Sequence, residues 1–398
     1  MSSKPTVEEL REAWRRRGWP EGLLERAYEL RVRRSHIKRW VAGERWNIEK
    51  LHQALDRRAR LLAGAMAVRE ATPEDSEALA GLYAHSPEEV GEWEVTVERG
   101  PYPFAQFQLQ EHAKIQVMED QGVLLAAMAH ANRPSIVGGR PVTVHISSAW
   151  RVREECRGEG YGPLVQRAVK PPVTGSGVGS YYYRRQAGGQ RKRRMSATVQ
   201  CFGGRSFAGD AGGIRLAGPA DIRCCIELIN RTHHGLDLFR PYSEEYLQGK
   251  LDELCRGPEP GARPAVYGMQ DYYLLEEGGR IVACAGLWDK ARHVREAWRH
   301  KLSGERRVVE STALLDFGHA EGRDDAMARL IGYLIGVTDG LGRDQLMAPL
   351  EFLPSLAGQL ASYQPVTEKR AFYWQPDKVL KDLGLRMLAR PYTDLAYW

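Results

Sequence analysis

The chain has 398 residues, 43% of them hydrophobic and 27% charged, with 57 Lys and Arg against 51 Asp and Glu for a net charge of +6. That length allows two or three cored domains. The longest apolar stretch, residues 122–131, covers only half a membrane span, and the first twenty residues are charged, so neither a spanning helix nor a signal peptide is expected. Cys156, Cys201, Cys224, Cys225, Cys255 and Cys284 form no CxxC pair and have no His spacing suited to zinc. They read as reduced structural residues of a cytoplasmic protein with no metal site. Residues 1–62 hold 16 Lys and Arg against 9 Asp and Glu, so the basic excess sits there.

That first segment, 1–64, predicts a small all-α module of four helices. Thr6 caps the first helix over 7–17, Pro20 opens the second, Ser35 stands near the start of the third, and Asn47 caps a fourth ending near Leu62. Leu51, Leu55 and Leu62 share the inward face. Within it, residues 31–45 loosely resemble a phage-repressor helix-turn-helix, which implies that Arg33, Arg34, His36, Lys38 and Arg39 meet nucleic-acid phosphates and base edges. The alternative is a basic docking or dimerisation module whose charges face solvent.

Residues 65–208 read as a strand, helices at 74–84 and 87–92, strands at 114–119 and 123–133 joined by the turn Asp120-Gln121-Gly122, and a long strand at 141–152. A glycine-rich segment, Arg157-Gly158-Glu159-Gly160-Tyr161-Gly162, then opens a short helix stopped by Pro171-Pro172. A strand feeding such a loop leaves amides unpaired at the positive end of a helix, and glycine lets the backbone approach a ligand closely. Phosphate binds such places. The run is not a dinucleotide fingerprint, because it follows several strands and no βαβ unit with a ribose-binding acid comes after it.

The segment AWRVREECRGEGYGPLV resembles the Arg/Gln-x-x-Gly-x-Gly/Ala signature of the GNAT N-acetyltransferase superfamily, with Val152 five residues before Arg157. The resemblance implies that Val152, Arg157, Gly158, Glu159, Gly160, Tyr161 and Gly162 hold the pantetheine and pyrophosphate of acetyl-CoA. It also implies direct attack of an amine on the thioester, the acceptor being a small molecule or a peptide.

Val68-Arg69-Glu70-Ala71-Thr72-Pro73-Glu74-Asp75 recurs as Ile214-Arg215-Leu216-Ala217-Gly218-Pro219-Ala220-Asp221. Each copy reads as a short strand, a turn at Pro and a helix start, so two related domains stand in tandem, 65–208 and 209–398. The second copy predicts a strand at 213–217, helices at 219–233 and 243–255, strands at 271–277, 280–288 and 307–317, a helix at 324–341 and a strand at 345–349. Its counterpart of the glycine loop, Gly318 to Asp325, lacks the spacing and places two acids at the helix start, which would repel a pyrophosphate. The predicted fold is thus α/β (α+β): two tandem GNAT folds with mixed central sheets flanked by helices, after a small all-α module.

Acyl transfer needs a neutral amine, yet a lysine-like amine has a pKa of about 10.4, so a base must take its proton. Some GNAT enzymes carry Glu six residues before the Val152 position, where this chain has Ile146. His145 is adjacent but points to the other face by strand alternation. Glu92 and Glu94, ahead of the hairpin, are further candidates. For the acid that protonates the departing thiolate, family precedent points to tyrosine, and Tyr183 of the Tyr181-Tyr182-Tyr183 run is the candidate. Family precedent also allows the terminal carboxylate of Trp398 as base. The basic island Arg184 to Arg194 would screen a phosphate or lie in solvent. Two other functions fit the same motifs: a coenzyme-sensing regulator with a DNA-binding module, and acyl transfer to a carrier-protein thiol. A homodimer is a further expectation.

Overall fold

In this computed structural model, the described residues are 5–43, 46–100, 102–110, 113–157, 159–168, 178–183, 193–207, 209–255, 266–376 and 395, the side chains of 178–183, 193–197, 253–255 and 369–376 excepted. Helices α1 (Val7–Arg16), α2 (Glu21–Glu29), α3 (Arg34–Ala42) and α4 (Ile48–Leu62) are followed by β1 (Met66–Glu70), α5 (Ser76–Ala84), β2 (Glu88–Val90), β3 (Trp93–Arg99) and α6 (Ala105–Gln108). Then come β4 (Lys114–Asp120), β5 (Val123–Val137), β6 (Arg140–Val152), α7 (Tyr161–Ala168), β7 (Val178–Tyr183) and β8 (Arg193–Gly203). The second half holds β9 (Ile214–Leu216), α8 (Ile222–Thr232), α9 (Glu244–Cys255), β10 (Tyr272–Glu277), β11 (Arg280–Trp288), β12 (Val294–His300), β13 (Arg306–Val309) and β14 (Ser311–His319). It ends with α10 (Asp324–Gly340), β15 (Gln345–Ala348), α11 (Pro354–Gln359) and β16 (Val366–Pro376).

Two compact units result, one of residues 1–86, 115–128 and 149–170, the other of 87–114, 129–148 and 171–398. They cut across the sequence-order boundaries at 64/65 and 208/209, because β5 and β6 each run through both.

The first unit begins with the helical module. Thr6 and Glu9 close a capping box at α1, and Asn47 Oδ1 accepts the Lys50 N–H at 2.9 Å to cap α4. Trp14, Trp19, Trp40 and Trp46 pack with Leu10, Leu24, Ile37, Leu51 and Leu55 in one core. Leu62, expected on the inward face, is 49% exposed, since it lies in the last turn, beyond the reach of the other helices. Two ion pairs tie α4 to the rest of the unit: Arg60 grips Asp120 at the end of β4 (2.6 Å), and Arg57 pairs with Glu159. β1 pairs antiparallel with β4, and a separate core gathers Met66, Met118, Leu125, Met128, Tyr161 and Val165.

In the second unit, β14 pairs in parallel with β15 and antiparallel with β11, which continues through β10 to β9. On the other side of β15 lie β8, β16 and β7, the last parallel to residues 143–147 of β6. The sheet is mixed, and α10 covers it with Leu330, Ile331, Leu334 and Ile335. A second sheet of four strands runs in the order β13-β12-β3-β2. It corrects the expectation of a helix over 87–92. Gly91, with φ of +61°, turns the chain so that Glu88, Glu89 and Val90 pair back on β3 as a hairpin.

The repeated corner folds alike in both copies. Arg69 binds Asp75 (2.7 Å) and Glu119 (2.6 Å), and Asp75 accepts the Thr72 N–H at 2.8 Å. Arg215 binds Asp221 (2.7 Å) and Glu276 (3.1 Å), and Asp221 accepts the Gly218 N–H at 2.8 Å.

Candidate functional site

The glycine loop grows out of a distorted strand end. Ala149 sits at φ +49°, a strained value for a residue with a Cβ, and Tyr83 holds it by donating its hydroxyl to the Ala149 carbonyl at 3.0 Å. After Val152 a single 3-10 turn over Glu154–Cys156 leads into the loop, and α7 begins at Tyr161. In this turn the Arg157 N–H bonds the Glu154 carbonyl (3.2 Å) and the Glu159 N–H bonds the Cys156 carbonyl (3.3 Å). Among the described residues the N–H groups of Gly160, Tyr161 and Gly162, at the positive end of α7, meet no main-chain acceptor.

Each described residue of the motif has a definite place. Arg157 braces the loop from behind, its Nε donating to the Val152 carbonyl at 3.4 Å. Glu159 is engaged by Arg57. Tyr161 is buried, and burial beside Glu159 raises its hydroxyl pKa, so it stays protonated. Gly160 has φ +94°, and a Cβ there would lie 2.6 Å from Cε1 of His36. A Cβ on Gly162 would lie 2.6 Å from the Trp150 indole. A larger residue at either position would force that side chain to move. Gly158 lies outside the described residues. Cys156, beneath the loop, has its pKa pushed up to about 12 by burial and by Glu159, so it offers no thiolate near neutral pH.

The loop faces a cavity of about 130 Å³ whose other wall is the helical module. Arg31, Arg33, His36, Trp40 and Arg58 line it from the module, and Glu159, Gly160, Tyr161 and Arg167 from the loop and α7. The presumed reading helix α3 thus turns Arg33 and His36 toward the chain's own glycine loop.

The remaining candidates belong to the second unit. Glu94, on β3, pairs with Arg299, while Glu92 is 76% exposed and meets His300 at 3.4 Å. Both are surface ion pairs of the four-stranded sheet. His145 is buried, with Nδ1 at 2.9 Å from Asn132 Oδ1 and Nε2 at 3.3 Å from Ser147 Oγ, and the His130 ring lies 5.6 Å away. Burial lowers its pKa, so it is neutral near pH 7, one ring nitrogen donating and the other left as an acceptor facing its partner. Period-two alternation had pointed to His145 only as a neighbour of Ile146. Its partner Asn132 lies on another strand, where no local pattern reveals it. The backbone of Tyr183 ends β7, and its side chain lies outside the described residues, as do Arg184 to Lys192 and Trp398.

No family model and no curated protein matches the chain by sequence. Among solved structures, the N-myristoyltransferase of Saccharomyces cerevisiae with bound myristoyl-CoA is similar at TM-score 0.57 and 12% identity, over 78% of this chain and 82% of its own. The same yeast enzyme with myristoyl-CoA and inhibitors gives TM-score 0.57 and 11% identity over 78% and 80%. The chain shares the fold of this enzyme. A GCN5-related N-acetyltransferase from Sphaerobacter thermophilus also matches, at TM-score 0.47 and 16% identity over 84% of this chain and 99% of its own. No described helix of the chain is long and apolar enough to cross a membrane, and no described cluster of His, Cys, Asp and Glu could hold a metal.

Where the first copy opens its donors, the second closes them. At the start of α10, Arg323 and the main-chain N–H groups of Ala326 and Asp325 hold the Asp325 carboxylate, and Asp324 is held by Ser355 and His319, which lowers the pKa of both acids. The strand end is filled as well. Asp316 on β14, at φ +47°, is the counterpart of Ala149. Its carboxylate is buried against Lys250 Nζ (2.7 Å) and the Tyr242 hydroxyl (2.6 Å), and the Tyr272 hydroxyl donates to its carbonyl at 2.6 Å.

Proposed function

We propose that the chain is an acetyl-CoA-dependent N-acyltransferase whose first GNAT copy takes the coenzyme at residues 152–162 and whose second copy takes none. The observation that carries this reading is the set of three open amides, Gly160 to Gly162, at the head of α7 behind a strained strand end. The fold neighbours support an acyl-CoA thioester as co-substrate; the acetyl group and the amine acceptor, a small molecule or a peptide, are assigned from the motif. The three-part division at 64/65 and 208/209 belongs to the same reading.

In the reaction the acceptor nitrogen attacks the thioester carbonyl carbon. A C–N bond forms, the C–S bond breaks, the amine proton passes to a base and the thiolate takes a proton from an acid. Tyr183 serves as the acid. Of the bases considered, Glu94 already holds Arg299 and Glu92 stands 76% exposed beside His300, whereas buried His145 is neutral and oriented by Asn132 and Ser147, so His145 is the one we favour. The turned-in Arg33 and His36 favour this reading over a nucleic-acid-binding regulator.

Thiol release from acetyl-CoA and myristoyl-CoA, each with a panel of amines and N-terminal peptides, tests the proposal. Turnover with acetyl-CoA and at least one amine is expected, falling at least a hundredfold in Tyr183→Phe and His145→Gln. Turnover with myristoyl-CoA alone would replace the acetyl assignment, and release with no amine or peptide would remove the transferase reading.

A further inference from the structure

The helical module has a use that the tandem fold leaves unexplained. It carries the basic excess of the chain, yet its third and fourth helices turn part of that charge inward. Arg33 at the N-cap of α3, His36 on α3 and Arg58 on α4 meet Gly160, Tyr161 and Arg167 across the cavity of about 130 Å³. Among the described residues no carboxylate pairs with Arg31, Arg33, Arg58 or Arg167. The one acid in the wall, Glu159, is neutralised by Arg57. Among the described residues Arg58 itself donates to the Leu30 carbonyl, at 3.1 Å. A half-buried space walled by cations and open amides lacks its counter-charge, and a volume of this size suits phosphate groups rather than a whole coenzyme.

The geometry points to Arg33, His36 and Arg58 as the second wall of a phosphate site, so that the phosphates of the coenzyme are held between the helical module and the glycine loop. The inference rests on the coenzyme reading of that loop. It makes the module a working part of the coenzyme site in place of a DNA reader.

His36 gives an independent signature. Desolvation, with Arg39, Arg33 and Arg58 close by, lowers its pKa to about 4. Arg31, Arg167 and Tyr161 also line its surroundings, and Glu159 is held by Arg57. Near pH 6 the ring is therefore uncharged, because its protonated form would be poorly solvated and would repel these cations. A bound phosphate reverses that balance and raises the proton affinity of the ring, so binding draws a proton from solution near pH 6.

Calorimetric titration of the full chain with CoA, in two buffers of different ionisation enthalpy at pH 6, tests this. Arg33→Gln, an exposed position, and Arg58→Lys should each weaken CoA binding about tenfold, with unchanged thermal unfolding. Proton uptake should vanish in His36→Gln. Repeating the titration with dephospho-CoA locates the contact: a penalty that persists assigns it to the diphosphate, a penalty that disappears assigns it to the 3′-phosphate, and either sustains the inference. CoA binding as tight in both Arg variants as in wild type, with no proton uptake, overturns it if Gly160→Asp still abolishes binding. Tight binding in Gly160→Asp overturns the coenzyme reading of the loop itself.

Discussion

The two copies of the sequence repeat keep the same corner and fill the same two places with opposite chemistry. Both build strand, turn and helix start around one arginine bridging two acids. At the strand end the first copy has Ala149, whose methyl leaves the cleft open, and the second has Asp316, whose carboxylate fills it with Lys250 and Tyr242. At the following helix the first copy has glycines whose amides meet no main-chain acceptor among the described residues, and the second has Asp325, whose carboxylate takes the amides of Asp325 and Ala326, beside Asp324 paired with His319. If the first copy takes the coenzyme as proposed, folding and ligand binding are carried by different residues of one repeat, and one copy can lose the second property while keeping the first.

Breaking the buried pair should produce the largest effect. Lys250 and Asp316 are 6% and 3% exposed, so Asp316→Asn strands a buried ammonium and should cost about 3–5 kcal/mol in urea unfolding. The double variant Asp316→Leu with Lys250→Met should recover most of it, because no charge is left behind. A loss in the single variant below about 1 kcal/mol would mean that the pair is solvated.

A smaller effect separates the two loops. Gly160 and Gly322 both have positive φ, at +94° and +71°, but only Gly160 has a neighbour, His36, where a Cβ would stand. Gly322→Ala should cost about 1 kcal/mol of backbone strain, and Gly160→Ala about 1–3 kcal/mol more as His36 is displaced. Equal losses in thermal unfolding would show that the module does not press on the loop.

The smallest effect probes what the copies share. Asp75 and Asp221 have lowered pKa values, chiefly through Arg69 and Arg215. A carboxylate whose pKa is lower when folded than unfolded adds stability that is present above the unfolded value of about 3.9 and is lost as pH falls through the folded value. Stability should therefore decline below about pH 4, and Arg69→Met or Arg215→Met should flatten the decline by about 1 kcal/mol or less each, given the partial exposure of both arginines. Unequal flattening would show that the two corners differ in energy as well as in sequence.

What could be read in the sequence was what is local. The arginine and aspartate of each corner are six positions apart, so their pattern showed the duplication, and strand, glycine turn and helix start follow one another in the first copy. Long-range pairings left no such trace: Lys250 and Asp316 are separated by 66 positions, Arg57 and Glu159 by 102. The four-stranded sheet escaped notice because β3 finds β12 about two hundred positions later, and the acids of 87–92 suit a helix until Gly91 turns them into a hairpin. Arg33 and His36 were visible as basic residues on a short helix, but nothing nearby in sequence says that the helix faces inward.

The difference between the copies is tested most directly by counting coenzyme sites. Calorimetric titration of the full chain with CoA should give one molecule per chain, with binding abolished by Gly160→Asp and unchanged by Gly322→Asp, the matching substitution in the second copy. Two sites per chain, or binding that survives Gly160→Asp and fails in Gly322→Asp, would contradict the account.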